Sequence, residues 1–273
     1  MSHILESLSD PALGRATEIL YQTATNYLGS LFAARFYQTP EATWFVKNPV
    51  GLSRVVSTSL TAETPKRTID ATLKTIAASS QDAITWDIGP SLRSSRLEGD
   101  LRANGWSKEG EVRSMVLDLQ ALKRPTESPA ELTIEQVEDE EAFKQHIHLM
   151  AVGFAFPEAV VRHLSAIDYG RTFLVPTVRY YVGRVDGQTV AISLLLLSEG
   201  LAGIYNVATI PSMRQRGFGT AMTLAALRDA RDLGYHIAVL QASEMGANIY
   251  RKLGFQDHFL FDSYSSQHSA QDE

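Results

Sequence analysis

The chain contains no cysteine in its 273 residues. That excludes disulfide bonds, cysteine-held metal and a thiol nucleophile, and it fits a reducing compartment. No apolar run approaches the length of a bilayer span, so no membrane partner is expected. Met1–Leu8 lacks a basic stretch followed by an apolar one, so the reading expects no signal peptide and a cytoplasmic location. An excess of positive charge is missing as well. The formal net charge is −6, which gives no general attraction to nucleic acid. His146 and His148 stand two positions apart, so they do not share a helix face. With no carboxylate or cysteine at ligand spacing beside them, no metal site is expected.

What the chain does have is apolar material. Hydrophobic residues make up 44%, enough to bury real cores, and the length suits one large or two ordinary domains. The most informative stretch runs from Ile204 to Gly219. An apolar strand, Ile204–Thr209, passes through a Pro/Ser turn into a loop punctuated by glycine, and an Ala/Leu-rich helix follows from Thr220 to Leu233. A helix N-terminus behind such a loop offers backbone N–H groups with no intrahelical partner, and the helix dipole adds positive character. Gly217 and Gly219 let an anion approach the main chain, and Arg214 and Arg216 add charge. The pattern points to a phosphate-bearing cofactor. A Gly-x-Gly-x-x-Gly fingerprint is not completed, because position 222 is Met, and no Gly-Lys-Ser/Thr follows. An ordinary strand–loop–helix turn is the plainer reading of a lone Gly-x-Gly.

The rest of the second half reads in order. Glu131–Val137 is a strand, and a helix starts at Asp139 or Glu140 and runs to Val152. Another helix covers Glu158–Ala166, and strands Arg179–Val185 and Thr189–Leu197 flank a hairpin signal at Asp186-Gly187. After the loop and its helix, Gly234 acts as a helix stop. A strand His236–Ala242, a helix Ser243–Leu253 and a strand Asp257–Tyr264 complete the unit.

The spacing Arg214-x-x-Gly217-x-Gly219 resembles the Arg/Gln-x-x-Gly-x-Gly/Ala signature of the GNAT superfamily of acyl-CoA N-acyltransferases, and Tyr250-x-x-x-Gly254-Phe255 resembles that family's Tyr-x-x-x-Gly-Phe element. The order of elements around both motifs extends the resemblance over residues 131–265. It implies an α/β GNAT fold, a mixed and mostly antiparallel sheet flanked by helices. It also implies acetyl-CoA as cosubstrate, with no metal. The loop, Arg214, Gln215, Arg216, Gly217, Phe218, Gly219 and Thr220, would wrap the pyrophosphate of the coenzyme. The backbone of Val207, Ala208 and Thr209 would contact the pantetheine arm where the strand splays from its parallel neighbour. Tyr250 would be the general acid that protonates the departing thiolate; the plainer alternative is a tyrosine anchoring its helix. Ser243 stands where many members have an asparagine that touches pantetheine, so it is a cofactor contact or a simple N-cap.

The base is less defined. Asn206 and Tyr205 share the central strand, and one of them should face the cleft; Asn206 is taken as the catalytic candidate. Gln241, Glu199 and a relay through water are alternatives. Phe154, Phe156, Tyr180 and Tyr181 are read first as core; any that line the acceptor pocket would favour an amine with an apolar part.

The first half reads as a helix over Asp10–Phe36 and strands Thr43–Lys47 and Ser53–Leu60 around an Asn48–Gly51 turn. A helix Pro65–Ala78, a strand Ala83–Ile88 and a strand Val112–Leu119 follow. Leu101-x-x-x-Gly105-Trp106 repeats the spacing of Tyr250-x-x-x-Gly254-Phe255. No glycine loop accompanies it. The expected organisation is a degenerate GNAT-like domain at 1–120, a proline-bearing linker at 121–130, the catalytic domain at 131–265 and a disordered tail at 266–273. The resemblance implies acetyl transfer to a primary amine of a small molecule by direct attack on the thioester; a longer acyl group is the variant of that reading. A non-catalytic acyl-CoA-binding module is the alternative from another class, and a scaffold that binds no cofactor is a third. A homodimer is compatible with all of them.

Overall fold

The computed structural model describes residues 3–32, 34–46, 53–61, 63–122, 129–156, 158–164 and 175–266. Contacts divide the chain into a larger compact unit, Met1–Leu20 with Ser114–His258, and a smaller one, Tyr21–Arg113 with Phe259–Glu273. The division falls inside α1 (Leu13–Leu31), inside β5 (Trp106–Asp118) and inside β11 (Gln256–Ser266). Most of the expected linker, residues 123–128, and the expected tail from residue 267 onward lie outside the described residues.

The smaller unit contains β1 (Arg35–Gln38), β2 (Ala42–Val46), β3 (Arg54–Thr58), α2 (Lys66–Ala78), β4 (Thr85–Ile88) and α3 (Ser95–Ala103). Its strands lie in the order β1-β2-β3-β4-β11. The β3–β4 pair is parallel and the others are antiparallel. Trp44, Leu73, Ile84, Leu101 and Trp106 build its core. Two expectations are corrected here. The helical periodicity carried as far as Phe36 stops at Leu31, and Arg35–Gln38 pairs with Ala42–Val46 instead. The Phe36 ring packs on Phe45 at 5.5 Å, a long-range contact that outweighs local period. The strand expected from Val112 begins six residues earlier, at Trp106. The turn expected at Asn48–Gly51 lies outside the described residues.

The larger unit contains β6 (Thr133–Gln136), α4 (Glu140–Gly153), α5 (Glu158–Leu164), β7 (Val178–Val185), β8 (Gln188–Ser198) and β9 (Leu201–Thr209). A 3-10 turn (Pro211–Met213), α6 (Phe218–Asp232), β10 (Ile237–Ala242) and α7 (Glu244–Leu253) follow. The sheet runs β5-β10-β9-β8-β7-β6. β6 to β9 are antiparallel, and β9–β10 is parallel, as a helical crossover through α6 requires. The expected hairpin forms with both Asp186 (φ 48°) and Gly187 (φ 79°) left-handed, the geometry of a tight two-residue turn.

One face of this sheet carries α6 and α7. Ala202, Ile204, Ala238 and Leu240 pack there with Phe218, Met222 and Phe255. Helix α6 is also tied down by polar contacts. Asp229 accepts two bonds from Arg179 on β7, at 2.7 and 2.8 Å, and a third from the Tyr181 hydroxyl. Among the described residues no helix is long and apolar enough to cross a membrane.

Candidate active site

Strand β9 and the loop behind it set the geometry. β9 registers with β10 at Ala202↔Ala238 and Gly203↔Val239. Beyond that point no pairing with β10 is registered, although β9 continues to Thr209 and β10 to Ala242. The two parallel strands splay. On the other side, β8 pairs with Tyr205 through Leu194 and with Ala208 through Ile192, so β9 has one residue more than β8 over this stretch. The extra residue is a β-bulge, and Asn206 sits in it with φ at 51°. Asparagine tolerates that conformation better than most side chains.

The bulge changes which face each residue presents. Val207 and Thr209 lie toward α6, within 3.9 Å of the place a Cβ would occupy on Gly219. Ala208 lies toward α4; a Cβ on Gly153 would come 2.7 Å from its methyl carbon, so only glycine fits at that crossing. Asn206 also faces α4, where its Nδ2 donates to Met150 Sδ at 3.4 Å. Strict alternation would send Asn206 to the opposite face.

The loop turns through two left-handed residues. Gln215 (φ 64°) and Gly217 (φ 80°) are both left-handed, a backbone pattern that turns successive N–H groups inward. Gly217 is the N-cap of α6, and no side chain caps the helix. The first bond back into the helix is Ala221 N–H to Gly217 O, at 3.0 Å. The N–H groups of Phe218, Gly219 and Thr220 are therefore helix-start donors. The Phe218 side chain is buried and anchors the turn.

The two arginines hold the loop in shape. Arg214 donates from Nε to Thr209 O and from an Nη to Gly153 O, both at 3.1 Å. It thereby ties the loop to the end of β9 and the end of α4. Arg216 pairs with Glu131 at 2.8 Å and lies over the Phe218 ring at 5.2 Å. Both guanidiniums remain on the exposed surface of the loop.

Tyr250 lies on α7, edge-on to Phe255 at 5.8 Å, with Gly246 making room for its ring. Burial raises its pKa above the ordinary phenol value, so it carries its proton at neutral pH. Ser243 caps α7, its hydroxyl accepting from Gly246 N at 3.2 Å. Gly254 (φ 102°) ends the helix in the left-handed region, where glycine is needed.

Of the aromatic residues weighed for the acceptor pocket, Tyr180 and Tyr181 are core, at 1% and 5% exposure. Phe154 is 46% exposed and stacks on Phe156 at 6.1 Å, just past the C-terminus of α4. Glu199 occupies a tight β8–β9 turn with φ at 53°, away from the splay. Among the described residues no group of three or more His, Asp or Glu is placed to hold a metal. Sequence reasoning missed Gly153 and Gly246, whose small size admits Ala208 and Tyr250; nothing in their neighbourhood marks them before folding.

Residues 139–257 match the family model described as "Acetyltransferase (GNAT) domain". No curated protein matches the chain. Among solved structures, a GCN5-related N-acetyltransferase from Kribbella flavida aligns with a TM-score of 0.69 at 19% identity, over 95% of this chain and 98% of that one. A tandem GNAT protein from the clavulanic acid biosynthesis pathway aligns at 0.62 and 14% identity, over 98% of both. A functionally unknown conserved protein from Staphylococcus epidermidis aligns at 0.60 and 13% identity, over 87% of this chain and 95% of that one. At these identities the structural matches speak to fold alone, and the tandem GNAT neighbour supports the two-half arrangement. The chain thus has the GNAT fold and carries, over residues 139–257, a domain of the acetyltransferase (GNAT) family.

Proposed function

We propose that the larger unit transfers an acetyl group from acetyl-CoA to the primary amine of a small molecule. The observation that carries this reading is the loop. A left-handed Gln215 and Gly217 lead into an uncapped α6 immediately after a strand that splays from its parallel neighbour. That arrangement suits a pyrophosphate followed by a narrow arm lying in the gap. When bound, acetyl-CoA supplies an activated acyl thioester.

The chain's own groups take these roles. Backbone donors of Gln215 to Thr220 hold the pyrophosphate, and the Gly219 position lets it approach. The β9 edge from Val207 to Thr209, unpaired with β10, offers main-chain groups to the pantetheine arm and to the thioester oxygen. Tyr250 donates its phenolic proton to the leaving sulfur; its raised pKa keeps that proton available across neutral pH. Asn206, turned toward α4 by the bulge, orients the amine or the water that removes its proton. Ser243 keeps its O–H free to donate toward the arm while its oxygen caps α7.

The test is calorimetric titration of the whole chain with acetyl-CoA, beside Gly217→Val. Valine at φ 80° is strained whatever space surrounds it. Binding in the micromolar range by the parent and at least a hundredfold loss in the variant is the expected result. A parent that does not bind sinks the reading. Binding without turnover of any amine in a broad panel would leave a coenzyme-binding module.

A further inference from the structure

We infer that Tyr205 and Gln241 together form the seat for the acceptor, and that it takes an amine carrying a neutral hydrogen-bonding group, a hydroxyl or carboxamide, near the nitrogen. This rests on the transferase reading above and adds the acceptor's chemical class to it.

The first observation is polar atoms left over. The Tyr205 hydroxyl and both ends of the Gln241 carboxamide are buried with no hydrogen-bond partner among the described residues. Such groups are costly to leave unpaired, and an orphaned amide and an orphaned phenol on adjacent strands call for a common cause. Neither residue is fully buried as a whole; it is their polar tips that are sequestered.

Register supplies the second observation. Extending the pairs Ala202↔Ala238 and Gly203↔Val239 brings Tyr205 level with Gln241, at the mouth of the splay. Both lie on the face away from α6. Their neighbours Ile204, Leu240 and Ala242 point into the α6 core, and Tyr205 and Gln241 alternate with them. The Tyr205 ring folds back over Gly203, where an added Cβ would sit 2.4 Å from the ring. A bulkier residue at 203 would displace it.

Faces decide the assignment. Tyr250 joins the α6 side of the core, so the sulfur leaves on that side. A nucleophile approaching the carbonyl opposite the proton donor arrives on the face away from α6, where Asn206 meets Met150 of α4 and where alternation places Tyr205 and Gln241. All three are uncharged; burial pushes the Tyr205 pKa up, so it remains a neutral phenol. A seat made of one phenol and two amides has donors and acceptors but no charge. It complements hydroxyl or carboxamide groups better than a carboxylate, phosphate or second ammonium.

The smaller unit treats its parallel pair differently. Asp87 lies two residues past the registered Thr85 on β4, as Gln241 lies two past the registered Val239 on β10. Asp87 is held by Arg54 and by the Tyr21 hydroxyl at 2.6 Å. One Asp87 oxygen is thus met by the chain and the other has no partner among the described residues; at Gln241 neither end of the carboxamide is met there, and the substrate supplies the partner.

The test compares two primary amines, ethanolamine and propylamine, on the whole chain with Gln241→Leu and Tyr205→Phe. Three readings are taken: coenzyme A affinity by calorimetry, amine binding to the coenzyme A-loaded protein, and KM against kcat. The parent should bind ethanolamine at least tenfold more tightly than propylamine. Gln241→Leu should erase that preference through KM while coenzyme affinity stays within twofold. Its melting temperature should rise, because an orphan polar group is gone. Equal handling of the two amines by the parent, or equal losses for both in the variant, overturns the seat. A parent that fails to bind coenzyme A overturns the transferase reading beneath it, a distinct result. Tyr205→Phe, which leaves ring packing intact, keeps the test open should Gln241→Leu fail to fold.

Discussion

Each of the two units has a parallel strand pair joined by a helix, and they treat the gap between those strands differently. In the larger unit, β9 and β10 part beyond Gly203, and Gln241 and Tyr205 are left without partners among the described residues. In the smaller unit, β3 and β4 are registered at a single pair; two residues past it Asp87 Oδ2 is held by Arg54 and Tyr21, while Oδ1 is left without a partner among the described residues. The helix starts differ as well, although neither has a side-chain cap. α6 begins at a left-handed glycine with no side-chain cap. α2 begins after Pro65; Lys66 there is engaged by Asp70 and Asp100 at 3.0 and 2.9 Å, and Arg96 donates to Thr64 O at 2.5 Å. The cavity beside that start is about 10 Å³, room for one water. The two starts differ in what stands beside them, a left-handed glycine at α6 and a cluster of ion-paired side chains at α2. Fold alone does not make a coenzyme site.

The comparison breaks most forcefully at Asp87. Its side chain is 4% exposed, and removing one member of a buried pair leaves the other charge uncompensated. Asp87→Ala should cost about 3 kcal/mol or more, seen in denaturant unfolding. Coenzyme binding measured below the transition should be unchanged, since the site belongs to the larger unit. A loss of binding in a folded Asp87→Ala protein would mean that the smaller unit takes part in it.

Acid should separate the units next. His146, on α4 of the larger unit, is fully buried, and its Nδ1 donates to Tyr181 O at 3.1 Å. Burial lowers its pKa from the usual 6.5 to about 4. The unfolded chain then binds a proton that the folded one refuses as pH falls from 6.5 toward 4. Stability is lost through that window and levels off below it, by about 3 kcal/mol at most. His146→Gln should flatten the slope. An unchanged pH profile would remove His146 as its source.

Tyr250→Phe probes the chemistry rather than the scaffold. kcat should drop about a hundredfold while acetyl-CoA affinity holds, the signature of a lost proton donor. The phenol's pKa is raised by burial, so no neutral-pH limb of the parent's profile should come from it. Unaltered kcat would make Tyr250 a helix anchor only.

Much of this arrangement is legible in the chain because the signals are local. Gly217, Gly234 and Gly254 mark turns that need left-handed backbone, and Asp186-Gly187 marks the hairpin. The repeat of Leu101–Trp106 and Tyr250–Phe255 is structural too: Gly105 and Gly254 are both left-handed, and Trp106 and Phe255 are both buried. What escapes the sequence is long-range. The first turns of β5 as a strand, Ser107–Glu111, carry polar and exposed residues without alternation, so no period announces them. The end of β11 pairs with β4, far away in sequence, and no local pattern selects that partner. At the site, alternation misplaces Asn206, because a bulge inserts one residue and inverts the faces after Tyr205. The bulge depends on the β8 register, which no motif encodes.

The smallest effect sharpens the contrast most directly. If Gln241 is unpartnered in the free protein, Gln241→Leu removes an unmet polar group and adds apolar burial, and stability should rise by about 1 kcal/mol. The matching change on the other side, Asp87→Leu, should do the reverse, since Arg54 and Tyr21 lose their acceptor. Two substitutions, each two residues past a registered parallel pair, would then carry opposite signs, measured in the same unfolding experiment. If Gln241→Leu destabilises as Asp87→Leu does, its carboxamide already has a partner, and the larger unit's gap is as closed as the smaller one's. If it stabilises, the free protein is holding hydrogen-bonding capacity in reserve at the splay, and the stability forgone there is the cost of a place for substrate.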